Sequence, residues 1–189
     1  IPDDDFDLPD EHSTGQIMQF DVVPAVGADA STPPQVLQLP AITPLPPATV
    51  TRPLALLERP SAFFDAPAEA LLGTVAGDPN IAPGVWTERS WADPETENPA
   101  VGATEVWELH NFTEDAHPIH IHEILFEVVN REEIETGSVR GPEPWEAGAR
   151  KDTVVAYPGE ITRVKATYDR AGLFVWHCHI VEHEDNEMM

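Results

Sequence analysis

A chain of 189 residues has room for one domain, or one domain with a tail, and its twenty prolines leave few stretches fit for a long helix. Its formal net charge of −24 excludes nucleic acid as a natural partner and disfavours anionic membrane surfaces. A single cysteine, Cys178, rules out any disulfide within the chain, and no apolar run is long enough for a membrane-spanning helix, so no membrane is a partner.

Only two of the ten basic residues are lysine, Lys151 and Lys165. An acid-rich, lysine-poor surface suits high ionic strength, where screening relieves self-repulsion. Salt adaptation is therefore expected, with an ordinary acidic extracellular protein as the alternative.

Residues 1–16 are acidic and irregular, whereas residues 17–23 alternate apolar and polar side chains as a strand does. Residues 24–49 are rich in Pro, Ala, Ser and Thr and read as an extended, semi-rigid linker. Beyond residue 50 the patterning predicts strands near 53–58, 72–76, 83–89, 104–111, 121–131, 152–157, 161–168 and 172–179. Residues 66–72 could form a short helix, Pro158-Gly159-Glu160 is a turn, and residues 132–150 form a long loop. The tryptophans Trp86, Trp91, Trp107, Trp145 and Trp176 read as core and loop anchors.

Six of the eight histidines fall in two segments. The first is His117-Pro118-Ile119-His120-Ile121-His122. Alternation puts His120 and His122 on one face of a strand continuing through Ile124, and Pro118 biases His117 toward an extended backbone. The second, residues 177–189, holds His177, His179 and His183 and opens with His177-Cys178-His179 after an apolar run, so Cys178 faces one way and its two flanking histidines the other. One strand can then serve two metal sites. His183 and Met188, returned by the polar turn of residues 184–186, complete with Cys178 and His117 a thiolate, two imidazoles and an axial thioether, the ligand pattern of a blue-copper site. His120, His122, His177 and His179 are left for a multinuclear site. Zinc is the competing metal, but zinc sites gather several cysteines or a histidine pair with a carboxylate, and Met188 would have no role. His12 and His110 have no motif partners and read as surface or hydrogen-bonded residues.

The pair His-Pro-x-His-x-His and His-Cys-His-x-x-x-His-x-x-x-x-Met resembles the C-terminal cupredoxin domain of multicopper oxidases. The tail His-Glu-Asp-Asn-Glu-Met-Met, and the stretch from Trp91 to Trp107, are most similar to the bacterial branch of spore-coat laccases, bilirubin oxidases and phenoxazinone synthases. The likeness covers roughly residues 17–23 and 50–189.

That resemblance implies an all-β, cupredoxin-like Greek-key sandwich over residues 50–189. Residues 1–23 would be the end of a middle cupredoxin domain and residues 24–49 the interdomain linker. His117, Cys178 and His183 would hold a type 1 copper with Met188 axial, giving a low-to-middle reduction potential. His120 would bind the type 2 copper, and His122, His177 and His179 the type 3 pair. The complete enzyme would carry four coppers, one wholly within this chain and three shared with an N-terminal cupredoxin domain that supplies four more histidines. That domain is expected as a second chain or cleaved fragment, since no further His-x-His occurs here and the chain ends one residue after Met188. The reaction implied is oxidation of a small aromatic donor, a phenol or aromatic amine, coupled to reduction of dioxygen to water. Residues 132–150 would border the donor cleft near type 1, Glu184 and less strongly Asp185 would relay protons, and the location would be secreted or cell envelope. The rival is a non-enzymatic carrier with one copper, which has no use for His120, His122, His177 and His179. A copper-tolerance metal oxidase would carry methionine-rich insertions, and a nitrite reductase would lack the two histidines flanking the cysteine.

Overall fold

The computed structural model describes residues 12, 15–16, 18–63, 67–75 and 86–189. Two compact units divide at residue 42. In the first, the described residues are exposed and carry a single 3-10 turn at Pro34–Val36. Residues 18–23 form no strand, and Ile17 lies outside the described residues. Alternation alone does not make a strand; its N–H and C=O groups need a partner, and no described segment pairs with residues 18–23.

The second unit, residues 43–189, is a two-sheet sandwich. Its strands are β1 (Val50–Pro60), β2 (Pro67–Thr74), β3 (Thr87–Arg89), β4 (Thr104–Asn111), β5 (His117–Ile121), β6 (Glu127–Glu133), β7 (Val139–Arg140), β8 (Thr153–Ala156), β9 (Glu160–Thr167) and β10 (Trp176–Cys178), followed by one helical turn, α1 (Val181–Glu184). The larger sheet has the order β3-β2-β1-β4-β9-β6-β7, with β1 and β4 parallel. The smaller sheet is β10-β5-β8, antiparallel throughout.

The core lies between them. Leu54, Leu56, Leu72, Trp107, Leu109, Val128 and Val164 point inward from the large sheet; Ile119, Ile121, Val154, Ala156, Trp176 and Cys178 meet them from the small one. Burial of side chains of this size stabilises by about 1.5–3 kcal/mol each, so apolar alternation fixes the inner face of strands such as β5 and β9. By contrast, β1 and β2 are buried on both faces, Ala55, Leu57 and Leu71 joining a second cluster with Trp86.

Three local readings change. The alanine-rich residues 67–72 belong to β2, because pairing with β1 from Leu57↔Leu71 to Arg59↔Glu69 overrides a helical preference of tenths of a kcal/mol per residue; Ala66 lies outside the described residues. The long strand expected over 121–131 breaks at His122 and Glu123, where Glu123 takes φ 68, and resumes as β6. Only Trp176–Cys178 of the 172–179 run pairs, leaving Leu173 and Phe174 exposed. The 158–160 turn is present, with Gly159 at φ 66 and its N–H donated to Asn111 O. Within the long loop, β6 reaches Glu133 and β7 pairs with it.

Eight cationic side chains, Arg52, Arg59, Arg131, Arg140, Arg150, Arg163, Lys165 and Arg170, each hold a glutamate. With the cations so engaged, the excess acids face one another across water. Raising sodium chloride from about 0.1 M to about 1 M shortens the screening length from about 10 to about 3 Å and should raise the thermal midpoint of the metal-free chain. A midpoint that falls over that range would contradict the role of self-repulsion.

Candidate metal centre

The register of the small sheet builds the centre. Cys178 lies opposite Ile119 and Trp176 opposite Ile121, all directed into the core, while His177 lies opposite His120 on the other face. Residues directly opposite share a face, so a slip of one residue would part Cys178 from His117 and His177 from His120.

On the core side, His117, Cys178 and His183 bring their donor atoms within 4.8 Å of one another. Cys178 Sγ is 3.6 Å from His117 Nδ1 and 3.7 Å from His183 Nδ1, and the two nitrogens are 3.1 Å apart. Metal bonds of about 2.0 Å to nitrogen and about 2.3 Å to sulfur put an equatorial N and S roughly 3.7 Å apart at 120°, so these three atoms fit around one first-row ion. The soft thiolate with two imidazoles suits copper, and the arrangement lacks the additional thiolate or carboxylate usual for zinc.

His183 arrives on α1, and the chain then folds back. Met188 N–H donates to His183 O and Cys178 N–H donates to Met188 O, both at 3.0 Å, with Glu187 at φ 73 making the bend. Met188 is fully buried in the same cluster as Cys178.

Burial pushes the Cys178 thiol up to about 11, and the nearby Asp115 and Glu184 carboxylates act in the same direction. Burial also pulls His117 down to about 3, with the His183 imidazole adding to the effect. Both shifts express one fact: this pocket disfavours charge unless a cation brings the balance. A metal ion would replace the thiol proton and find the imidazole neutral.

On the opposite face, His120, His122 and His177 form a second set, again with donor atoms within 4.8 Å. His122 Nε2 and His177 Nε2 stand 3.2 Å apart. His179 joins through ring contacts of 5.8 Å to His120 and 5.5 Å to His177. The ring nitrogens have defined roles. His120 Nδ1–H donates to Asp152 O at 2.9 Å and His177 Nδ1–H donates to Cys178 O at 3.0 Å, because a carbonyl can only accept. Their Nε2 lone pairs are thereby left for a metal. The core side thus offers Nδ1 and the outer side Nε2. His122 and His179 are exposed, so this set opens outward.

Glu184 Oε2 lies 3.5 Å from His177 Nδ1 at the rim of the imidazole set, while Asp185 is exposed beyond it. His110 belongs to neither set: it is buried against Trp86 and Phe112 beside a separate apolar cluster, 3.8 Å from Glu108. Residues 133–136 of the long loop border a hollow with Phe112 and Thr113. Sequence reasoning missed Thr113, whose Oγ1 meets His117 Nε2 at 2.6 Å; a hydroxyl four residues before a ligand was the available signal.

A sequence profile of the family described as Multicopper oxidase matches residues 68–189. The chain is 43% identical over 114 residues to a laccase of Bacillus subtilis, covering 53% of this chain and 22% of that relative. It is 47% identical over 92 residues to a laccase of Haloferax volcanii, covering 48% and 15%. Among solved structures, a multicopper oxidase from Campylobacter jejuni described as a metallo-oxidase matches with TM-score 0.56 at 22% identity, covering 80% of this chain and 32% of that one. The McoA multicopper oxidase of Aquifex aeolicus matches with TM-score 0.50 at 26% identity, covering 78% and 30%. The chain spans about a fifth of the length of the Bacillus relative and about a third of these structures.

Proposed function

The chain belongs to the multicopper oxidase family, and from that premise we propose that it is the copper-bearing C-terminal cupredoxin part of a laccase-like oxidase. The domain occupies about residues 50–189, residues 24–49 are its linker, and residues 1–23 close a preceding domain. His117, Cys178, His183 and Met188 would hold the type 1 copper; His120 would hold type 2; His122, His177 and His179 would hold their share of type 3. Four further imidazoles come from N-terminal cupredoxin domains, on a separate chain or a cleaved fragment, giving four coppers in the whole enzyme. Bound copper supplies one-electron chemistry at the first set and four-electron reduction of dioxygen to water at the second.

The observation that carries this reading is the register Cys178↔Ile119 beside His177↔His120. It sets a thiolate-centred site and an imidazole-only site on opposite faces of one strand, joined through the Cys178 backbone. A single-copper carrier needs the first face only. Partly exposed His183, rather than fully buried His117, presents the type 1 set to a phenolic or aromatic amine donor. The Cys178 backbone joins the first set to His177 and His179 by a covalent path of a few bonds, the route electrons would take between coppers held on the two faces. Glu184, at the rim of the imidazole set, holds and passes the protons that water formation consumes.

Oxygen uptake tests this. The copper-loaded chain, assembled with cupredoxin domains carrying the four further histidines, should consume one dioxygen per four electrons from a methoxyphenol, without releasing peroxide. Electron transfer without oxygen uptake in that assembly would favour the carrier.

A further inference from the structure

His117 enters the thiolate site with its two ring nitrogens in different company. Nδ1 faces Cys178 Sγ and His183 Nδ1, while Nε2 meets Thr113 Oγ1 at 2.6 Å. In a neutral imidazole one nitrogen carries the proton and the other the lone pair, and a metal can use only the latter. Were the proton on Nδ1, it would sit in the 3.1 Å gap between the two imidazoles, where an ion must go.

The surroundings of Thr113 decide which nitrogen is protonated. Its Oγ1 lies 2.9 Å from Asn111 Oδ1 and 3.1 Å from Asp115 O, and both of these oxygens can only accept. The single hydroxyl proton belongs to one of them; spending it on His117 Nε2 would leave two oxygen–oxygen contacts with no proton between. Asp115 N–H donates to Oγ1 at 3.2 Å, and its remaining capacity is an acceptor site turned to His117. Asn111 is itself fixed, with Nδ2 donating to Asp115 O at 2.7 Å and Ala156 O at 3.1 Å, and Oδ1 accepting from Thr113 N–H at 2.9 Å. Water has little part in this: Asn111 and His117 are 0% exposed and Thr113 4%.

We propose that Thr113, held by Asn111, is a positioning residue that keeps His117 in the Nε2–H tautomer and so presents the Nδ1 lone pair to copper. The proposal rests on the reading of His117 as a ligand, and Thr113 acts only through that ring. Outer partners of this kind fix ring orientation and tautomer, and losing one costs about ten- to a hundredfold in metal affinity.

Thr113→Val removes the acceptor at nearly constant shape, and Thr113→Ser restores it. The first readout is a long-range proton–nitrogen NMR correlation on the metal-free full chain, labelled with nitrogen-15, which identifies the protonated nitrogen of His117. Wild type and Thr113→Ser should show Nε2–H, and Thr113→Val a mixture or Nδ1–H. The second is copper affinity by chelator competition, expected to fall about ten- to a hundredfold in Thr113→Val and to recover in Thr113→Ser. Nδ1–H in the wild-type chain overturns the proposal, even if the valine variant does not fold. So does a folded valine variant with Nε2–H and wild-type affinity. If instead wild type shows Nε2–H but copper gives no thiolate charge-transfer band, the ligand reading fails while the tautomer assignment stands.

Discussion

Substituting Cys178 with serine is expected to erase the visible charge-transfer colour of the copper-loaded chain and to reduce turnover of the assembled oxidase below detection. The thiol already needs a cation to ionise, since burial raises it to about 11. A serine hydroxyl is a far weaker acid and a hard donor, so it gives up its proton to copper much less readily and offers no soft sulfur orbital. The loss should be confined to one face. His120, His122, His177 and His179 keep their donors, because His177 Nδ1–H is tied to the residue 178 carbonyl and His120 Nδ1–H to Asp152 O, neither of which the substitution touches. Absorption and electron paramagnetic resonance on the same sample separate the two sets. Blue colour surviving in Cys178→Ser at full copper loading would remove Cys178 from the site.

Glu146→Ala should destabilise the metal-free chain by about 3–5 kcal/mol, a large share of the about 5–15 kcal/mol that holds a domain together. Arg131 is 0% exposed and Glu146 4%. The guanidinium donates to both carboxylate oxygens, at 2.7 and 2.9 Å, and to Val155 O at 3.1 Å. Removing the carboxylate strands a cation where water cannot reach it. Burial alone would raise the Glu146 carboxyl, but hydrogen bonds from Arg131 and from Glu143 N–H outweigh it and hold the group below its usual range. The pair therefore stabilises fully at neutral pH, and its contribution fades as acid protonates Glu146. Val155 sits in β8, which pairs with β5 at His117↔Ala156, so the pair buttresses the strand that delivers His117. Replacing both partners by apolar residues of similar volume should recover most of the loss. Urea denaturation reads the difference; a cost below about 1 kcal/mol for Glu146→Ala would contradict burial of an intact ion pair.

The convergence of the two candidate donor sets is largely legible in the sequence because the donors are local. Strand alternation over three residues places Cys178 apart from His177 and His179, and a five-residue step returns His183. What alternation could not supply is register. The facing of His177 and His120 depends on pairing between strands nearly sixty residues apart. The Arg131–Glu146 pair was hidden for a related reason: its partners meet across a loop whose composition looks merely irregular. The 67–72 segment misled because alanine and leucine favour a helix locally, while β1 supplies an edge that only the tertiary fold reveals. Likewise the positive φ at Glu123 has no local signal, because a residue other than glycine takes that conformation only rarely. Thr113 escaped notice because its one signal is its spacing from His117, and a hydroxyl carries no metal-ligand signature of its own.

On the proposed reading, the chain holds one copper by itself and half the histidines of a second centre. Native mass spectrometry of the copper-loaded protein, reading assembly mass and metal count together, tests it most directly. One tightly held copper is expected on the 20.8 kDa chain alone, and four on an assembly with the domains that bring the remaining histidines. A lone chain that binds no copper, or an assembly that never holds more than one, would contradict it.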